Sequence, residues 1–345
     1  MRVFFEFEYT TLEGTPMQVS DLVRNAGVER FDVDPDSLKS LGGTDGVVYA
    51  CRRGNLGYVI KFTPLMEDVA LVDERLRFIH YLVKNGVPIA APLPSKQGSL
   101  YEQVAEKDQA YLVTLAPLAD GRHPIPRNLY DWNERLFQIW GQVIGQMHRL
   151  AREYPWWEKP AQEGIAPTLL IDWRDEHRFF VDWCKEKKIV EQWMPFLDLF
   201  QGLPRDRSCY GLIHNDLHPM NFFYNPEARS THPITIIDFD VSTYHWFFMD
   251  IAIAVYHAIT HQNFKGIAER RAFARHFLSH FLSGYRQEND LDESWLAYLP
   301  DFTKYREILI YIALSNSWPE DQRHPWQKRF LAEKRARTLR GDPFL

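Results

Sequence analysis

Residues 211–240 open Gly-Leu-Ile-His-Asn-Asp-Leu-His-Pro-Met-Asn-Phe-Phe-Tyr and, past a turn-rich interval, close Ile-Thr-Ile-Ile-Asp-Phe-Asp. His214, Asp216 and Asn221 sit together after an apolar, strand-like entry. Asp238 ends a β-branched run seventeen residues after Asn221. The first eight residues from His214 fit H-x-D-L-x-x-x-N. In that pattern the Asp receives or orients the proton of an attacking hydroxyl, and the Asn five positions on binds a metal. Such a loop puts one carboxylate at the nucleophile and one amide oxygen on the ion without crowding both onto one face. Asp238, at a strand end, supplies the second hard oxygen ligand that a Mg²⁺–triphosphate needs. Its bland alternative is a turn-forming Asp, and Asp240 reads as structural or solvated.

Upstream, Leu41-Gly42-Gly43-Thr44-Asp45-Gly46 runs into Val47–Cys51. After a turn, Tyr58-Val59-Ile60-Lys61-Phe62 forms a second strand. Strands follow these glycines, so the segment is neither a P-loop nor a dinucleotide-binding turn. Lys61, in an otherwise apolar strand, can reach nucleotide phosphates as a point charge. A buried lysine needs an acidic partner, and the next helix, Met66–Lys84, offers Asp73 and Glu74. Both border its stripe of Val72, Leu76 and Ile79, and periodicity does not choose between them; Glu74 is preferred.

The remaining elements follow from pattern. Residues 3–9 alternate as a strand, with a helix as the alternative, and Thr15-Pro16 reads as a cap opening a helix through about Ala26. Ala110–Leu115 is a strand leading into the turn-rich Ala116–Gly121. That turn marks the boundary between an N-terminal lobe, 1–115, and a mainly helical remainder, 116–345. Helices are expected over Leu129–Leu150, two or three times within 155–205, over Met249–Ile259 and Ala268–Tyr285, from Trp295 to about Ser315, and in the basic tail 328–340. His148 reads as a hydrogen-bonded core histidine. Asp250 reads as a helix cap or as a brace for the loop around Asp216, and His218 is left open between shaping that loop and touching substrate.

Composition excludes other classes. The apolar content of 45% and charged content of 25% are those of a globular chain with a sizeable core. A formal charge of −6 leaves no basic footprint for nucleic acid. Cys51, Cys184 and Cys209 share no short spacing, which argues against a disulfide framework and for a reducing compartment. The N-terminal apolar residues are broken by Glu6 and Glu8, so they do not form a signal peptide. No apolar run approaches the roughly 18–20 residues of a membrane helix. The expectation is a cytoplasmic protein with neither a membrane nor a nucleic-acid partner.

Taken in order, the Gly-rich hairpin, Val-Ile-Lys61, the helix with Glu74, the hinge near Leu115–Pro117, His214-x-Asp216-x4-Asn221, Ile-Asp238-Phe-Asp240 and Asp250-Ile-Ala resemble the aminoglycoside phosphotransferase and choline kinase family of the protein-kinase-like fold. Phe-Leu-Ser-Gly-Tyr-Arg at 281–286 is similar to its spore-coat kinase-like and homoserine kinase-like branch. The resemblance implies an α+β bilobal fold: a small β-rich N-lobe, a larger helical C-lobe, and ATP clamped between them. It implies Asp216 as catalytic base, Asn221 and Asp238 on Mg²⁺, Lys61 on the phosphates with Glu74 orienting it, Gly43 in the loop over the nucleotide, and the backbone at Leu115 and Ala116 meeting adenine. The implied reaction moves the γ-phosphoryl group of ATP to a hydroxyl of a small molecule. A protein Ser/Thr acceptor and a silent nucleotide-binding protein are the alternatives within the fold. A zinc hydrolase using His214, Asp216 and His218, with His232 or Asp238, is the alternative outside it. Asn215 and Met220 depart from the family, which favours glycine at both places.

Overall fold

A computed structural model of the chain describes residues 19–43, 46–66, 68–126, 128–155, 172–228 and 232–345. The strand expected over 3–9 and the cap expected at Thr15 lie outside them. The chain divides into two units. The first ends at His80 and takes in Ala90–Ala119; the second takes in Tyr81–Ile89 and runs from Asp120 to Leu345.

In the first unit helix α1 spans Asp21–Phe31, with Ser20 Oγ accepting from Val23 N at 3.2 Å and Asp32 ending it in the left-handed region. It passes the expected end at Ala26 because Val28 and Phe31 continue its buried stripe. Five antiparallel strands follow: β1 (Lys39–Gly42), β2 (Val47–Arg53), β3 (Leu56–Pro64), β4 (Glu102–Glu106) and β5 (Gln109–Pro117), in the order β1-β2-β3-β5-β4. Alternation along β3 buries Tyr58, Ile60 and Phe62 and puts Lys61 on the opposite, half-buried face. Phe31 and Val23 join Ile60, Phe62, Val113 and Leu115 in one core. Each such side chain contributes about 1.5–3 kcal/mol on burial. Helix α2 (Val69–Lys84) carries the expected stripe, with Val72, Leu76, Ile79 and Leu82 buried.

The second unit is mainly helical: α3 (Glu134–Glu153), α4 (Trp173–Trp183), α5 (Lys187–Trp193), α6 (Pro195–Gln201), α7 (Phe247–Thr260), α8 (Ile267–Tyr285), α9 (Leu299–Ser317) and α10 (Pro325–Leu339). Two short antiparallel pairs hold its loops. β6 (Tyr210–Ile213) pairs with β9 (Thr243–Trp246), and β7 (Phe222–Tyr224) pairs with β8 (Ile234–Ile236). Trp173 and Trp193 of the 155–205 region are core, whereas Trp183 is exposed. Trp173 lies 5.2 Å from Trp246 and Trp193 lies 4.8 Å from Tyr305, by ring centroids.

Helices α3 and α8 cross unusually close. A Cβ on Gly141 would meet Phe281 O at 1.9 Å, one on Gly145 would meet Tyr285 O at 2.6 Å, and one on Gly284 would meet Gln138 O at 1.8 Å. Glu134 near the start of one lies beside His276 and His280 of the other, and Gly145 further on lies against Tyr285, so the two run parallel, with backbone against backbone where they cross. All three cysteines are free thiols. No helix among the described residues is long and apolar enough to cross a membrane.

Candidate active site

The loop from His214 to Asn221 joins β6 to β7, and the loop from Ile237 to Ser242 joins β8 to β9. Their geometry is set from beneath by Asp250, fully buried in the first turn of α7. Its Oδ1 accepts Asn215 N–H at 2.8 Å and its Oδ2 accepts His214 N–H at 3.1 Å. Trp246 is the N-cap residue of α7 and makes no side-chain cap. Of the two readings of Asp250, the brace is the one observed.

His148 completes the support. Asn289 Nδ2 donates to Tyr285 Oη at 2.8 Å, so the tyrosine hydroxyl is directed at His148 Nδ1, 3.0 Å away. The remaining proton therefore sits on Nε2 and donates to Asp250 Oδ2 at 3.1 Å. Burial lowers the His148 pKa, keeping it a neutral relay in the core.

Asn215 has φ of 65°, inside the left-handed region. Asparagine is among the few residues other than glycine that visit this region routinely. Its substitution for the family's glycine therefore keeps the backbone path. Its side chain adds a hydrogen bond from Nδ2 to Glu176 and another to Val241 O at 3.3 Å.

His214 spans the two loops. Its Nδ1 accepts Asp216 N–H at 3.3 Å, leaving Nε2–H to donate to Ile237 O at 3.1 Å. Both ring nitrogens are committed to backbone, which removes His214 as a ligand and with it the zinc-hydrolase reading. His218 folds its Nδ1 onto Met220 N–H at 3.1 Å and holds Nε2 3.5 Å from Asp216 Oδ2. It thus both shapes the loop and bears on the carboxylate.

Asp216 is the focus of the loop. Asn221 Nδ2 donates to its carbonyl at 2.8 Å and to its Oδ2 at 3.2 Å, and Arg306 pairs with its Oδ1. Burial works against the charge, but His218 and Arg306 overcome it and hold the carboxyl far below the usual range. Asp216 is ionised throughout the physiological range.

Asn221 spends both amide protons on Asp216, which leaves its Oδ1 as an acceptor. Its carbonyl receives Ile237 N–H at 3.0 Å, one residue before Asp238. Asp238 is exposed, with φ of 63°. An amide oxygen and a carboxylate on two backbone-linked loops form an oxygen-only donor set of the kind a hard divalent cation takes. The residues fit such an ion.

In the first unit, Lys61 lies opposite Val48 on β2 and Thr114 on β5. Glu74 is buried, with Oε2 paired to Arg77 at 3.0 Å. Asp73 is exposed and bonded to Tyr101. Gly43 has φ of 135°, and a Cβ there would lie 2.1 Å from Gly46 O, so the turn requires glycine. Leu115 is buried and its carbonyl accepts Leu93 N–H at 2.7 Å; Ala116 pairs with Val59.

Three residues of the site escaped sequence reasoning. Arg306 on α9 bonds Asp216 and sits 3.3 Å from His257 Nε2. The available signal was its place four residues after Phe302 and three before Leu309, on an apolar stripe. Glu176 on α4 bonds Asn215, and burial raises its carboxyl to about 7. His257 packs against His218 in a tilted pair with ring centroids 4.7 Å apart, and burial holds it neutral, well below its ordinary pKa. Glu176 Oε1, Arg306 Nε and Asn215 Oδ1 are buried without a hydrogen-bond partner. All three residues belong to the hydrogen-bonded and charged surroundings of the Asp216 loop, and such unsatisfied groups call for a water, an ion or a ligand.

Comparison with known proteins shows the family to which the chain belongs. Amicoumacin kinase of Bacillus subtilis (strain 168) is 29% identical over 320 residues, covering 91% of this chain and 90% of that protein. A solved amicoumacin kinase in complex with AMP-PNP, Ca²⁺ and Ami superposes with a TM-score of 0.82 at 27% identity, covering 94% of this chain and 95% of the other. A microcompartment-associated aminopropanol kinase shares the fold at a TM-score of 0.70 and 18% identity, over 92% of this chain and 94% of the other. The sequence model of the APH phosphotransferase enzyme family matches residues 39–291, and the chain belongs to that family and is a phosphotransferase.

Proposed function

We propose that the protein transfers the γ-phosphoryl group of ATP, bound with Mg²⁺, to a hydroxyl of a small molecule. The observation that carries this reading is the ionised Asp216, fixed by Asp250, Asn221 and Arg306 beside buried polar atoms that lack partners. In this reading Asp216 accepts the hydroxyl proton at a carboxylate oxygen as the acceptor oxygen attacks. Asn221 Oδ1 and Asp238 hold the cation, which supplies charge neutralisation on the phosphate oxygens. Lys61 is assigned to the phosphates and Glu74 to positioning Lys61. Gly43 lies in the loop over the nucleotide, and the backbone at Leu115 and Ala116 meets adenine. The complex of the solved amicoumacin kinase with AMP-PNP and Ca²⁺ supports a nucleotide and a divalent metal. Little beyond positioning and electrostatics is asked of the protein in such a transfer.

Amicoumacin is the first acceptor to test, because the similarity to amicoumacin kinase extends over nearly the whole of both chains. The orphaned donor Arg306 Nε and the orphaned acceptors Glu176 Oε1 and Asn215 Oδ1 suit an acceptor with both hydroxyl and amine or amide groups. The test is phosphate transfer from ATP to amicoumacin, aminopropanol, choline and aminoglycosides, for the wild type and Asp216→Ala. Transfer by the wild type that falls by about 10²–10⁴-fold in the variant is expected, the contribution typical of general-base catalysis. Equal product from both proteins would sink the assignment.

A further inference from the structure

Away from Asp216, three side chains converge on the parallel helix pair α3 and α8. His276 and His280 stand one turn apart on α8, with ring centroids 4.9 Å from each other. Their Nε2 atoms lie 3.7 and 3.4 Å from one oxygen, Oε1 of Glu134, the first residue of α3. These separations are too long for good charge-assisted hydrogen bonds, which close to about 2.7–2.9 Å. They match the ligand-to-ligand spacing of a tetrahedral zinc ion, about 3.3–3.4 Å when the bonds are about 2.0–2.1 Å. The three ligand atoms all lie within 4.8 Å of one another.

We propose that Glu134, His276 and His280 form a binding site for one zinc-class divalent ion, separate from the cation bound with nucleotide. Two imidazoles and one carboxylate are the donor set of a zinc site with three protein ligands, and the fourth position goes to water. Two neutral nitrogen donors select against Mg²⁺ and Ca²⁺, which take oxygen ligands. The framework is preorganised, because the α3–α8 crossing has backbone against backbone at Gly141, Gly145 and Gly284 and cannot slide. Glu134 is anchored by position: Asn133 Oδ1 caps α3 by accepting Leu136 N–H at 3.1 Å. A cavity of about 590 Å³ adjoins the site and is lined in part by Glu134, His276, Trp132, Phe137 and Phe273, so the ion has an entry path. The bound ion cross-links the start of α3 to the middle of α8.

The inference does not rest on the phosphotransfer reading, and its test does not use activity. The full-length protein, stripped of metal, is titrated with Zn²⁺ by calorimetry, and its thermal midpoint is recorded with and without Zn²⁺. One ion per chain and a raised midpoint are expected, unaffected by excess Mg²⁺. Histidines 276 and 280 are partly exposed, so His276→Ala/His280→Ala should fold with an unchanged metal-free midpoint. Losing only a ligand's hydrogen-bond partner costs 10–100-fold in affinity, so losing the ligands themselves should cost at least about 100-fold. Glu134→Gln should weaken binding less than the double variant, and Asp238→Asn should leave it intact. Zinc binding that survives in the double variant would place the ion elsewhere and would overturn the proposal. So would the absence of any Zn²⁺-dependent heat or midpoint shift in the wild type.

Discussion

Asp250 holds Asn215 from below: its Oδ1 accepts the Asn215 N–H at 2.8 Å while its Oδ2 takes the His214 N–H and His148 Nε2–H. One buried carboxylate thus fixes the entry to the loop that carries Asp216, thirty-four residues away in sequence. Asp250→Asn replaces an acceptor with a donor that faces N–H groups, leaving them without partners. Disrupting a buried hydrogen-bonded charge costs about 3–5 kcal/mol. The urea midpoint should fall accordingly, and kcat should fall by at least about 100-fold because misplacing a reacting group by about 1 Å costs that much. Wild-type kcat in a folded Asp250→Asn protein would refute the bracing role.

Asn215 separates two contributions that its left-handed backbone and its amide make to the same loop. Asn215→Gly relieves the backbone and removes the bond to Glu176; Asn215→Val keeps φ positive on a β-branched residue. Left-handed geometry costs an L-residue about 1–2 kcal/mol, so the valine variant should be less stable than the glycine variant by at least that amount. Chemical denaturation of the three proteins measures the difference. Equal stability of the two variants would mean that the loop does not hold this conformation.

What could be read from the sequence was local. The His214–Asn221 spacing, the β-branched run before Asp238 and the apolar stripe of α2 are encoded within a few residues of each other, and periodicity exposes them. Arg306 and Glu176 reach the same loop across 90 and 39 residues, and chain spacing carries no sign of that. Strand β4 was missed for a related reason. Glu102 is buried there, taking a hydrogen bond from Ser95 at 2.6 Å and pairing with Arg30 at 3.3 Å, so a polar residue stands where an alternating pattern would place an apolar one. Helix α1 outran its expected end because the buried positions Val28 and Phe31 are defined by the sheet they pack on.

Gly141 on α3 tests the packing independently of the site. A methyl group added there would lie 1.9 Å from the Phe281 carbonyl oxygen, and no rotamer change can move a backbone atom away. Overpacking typically costs about 1–3 kcal/mol, and a backbone clash belongs at the upper end or beyond. Gly141→Ala should therefore lower stability by about 3 kcal/mol or more, read as a shifted denaturation midpoint at unchanged slope. A neutral substitution would contradict the close crossing of α3 and α8.

Glu176 gives the protein a pH signature near neutrality. Burial raises its carboxyl from the ordinary 4.5 to about 7, despite the Asn215 hydrogen bond and the Arg306 charge, with the Asp216 charge adding to the rise. Between those values the folded protein holds a proton that the unfolded chain releases. The stability linked to this group is full below about pH 4.5 and is lost as pH rises through about 7. Buried His177 and His245 act in the opposite sense, because their folded values of about 4 and about 3 cost stability as pH falls below 6.5. The measured quantity is therefore the wild-type minus Glu176→Gln difference in stability between pH 5 and 8, which removes the histidines. That difference should decline with rising pH; a flat line would show that Glu176 titrates as an ordinary carboxylate.

Arg306 both protects and restrains Asp216. Its guanidinium pairs with Oδ1, while Asn221 donates to Oδ2 and His218 lies beside it. Both oxygens are thus engaged before any hydroxyl arrives, and an incoming acceptor must share or displace the arginine contact. Arg306→Ala removes a positive charge that holds the Asp216 pKa down, while the burial that raises it remains. The acid limb of kcat/KM should therefore move to higher pH, with activity below that limb falling about tenfold for each pH unit of displacement, since one unit is about 1.4 kcal/mol. Arg306→Lys keeps the charge but loses the planar fork. It should restore most of the limb's position while recovering less of KM, if the fork also orients the acceptor. A limb that stays in place in Arg306→Ala would mean that His218, His257 and the Asn221 hydrogen bond keep Asp216 ionised without it, and that Arg306 serves only the packing of α9 against the loop.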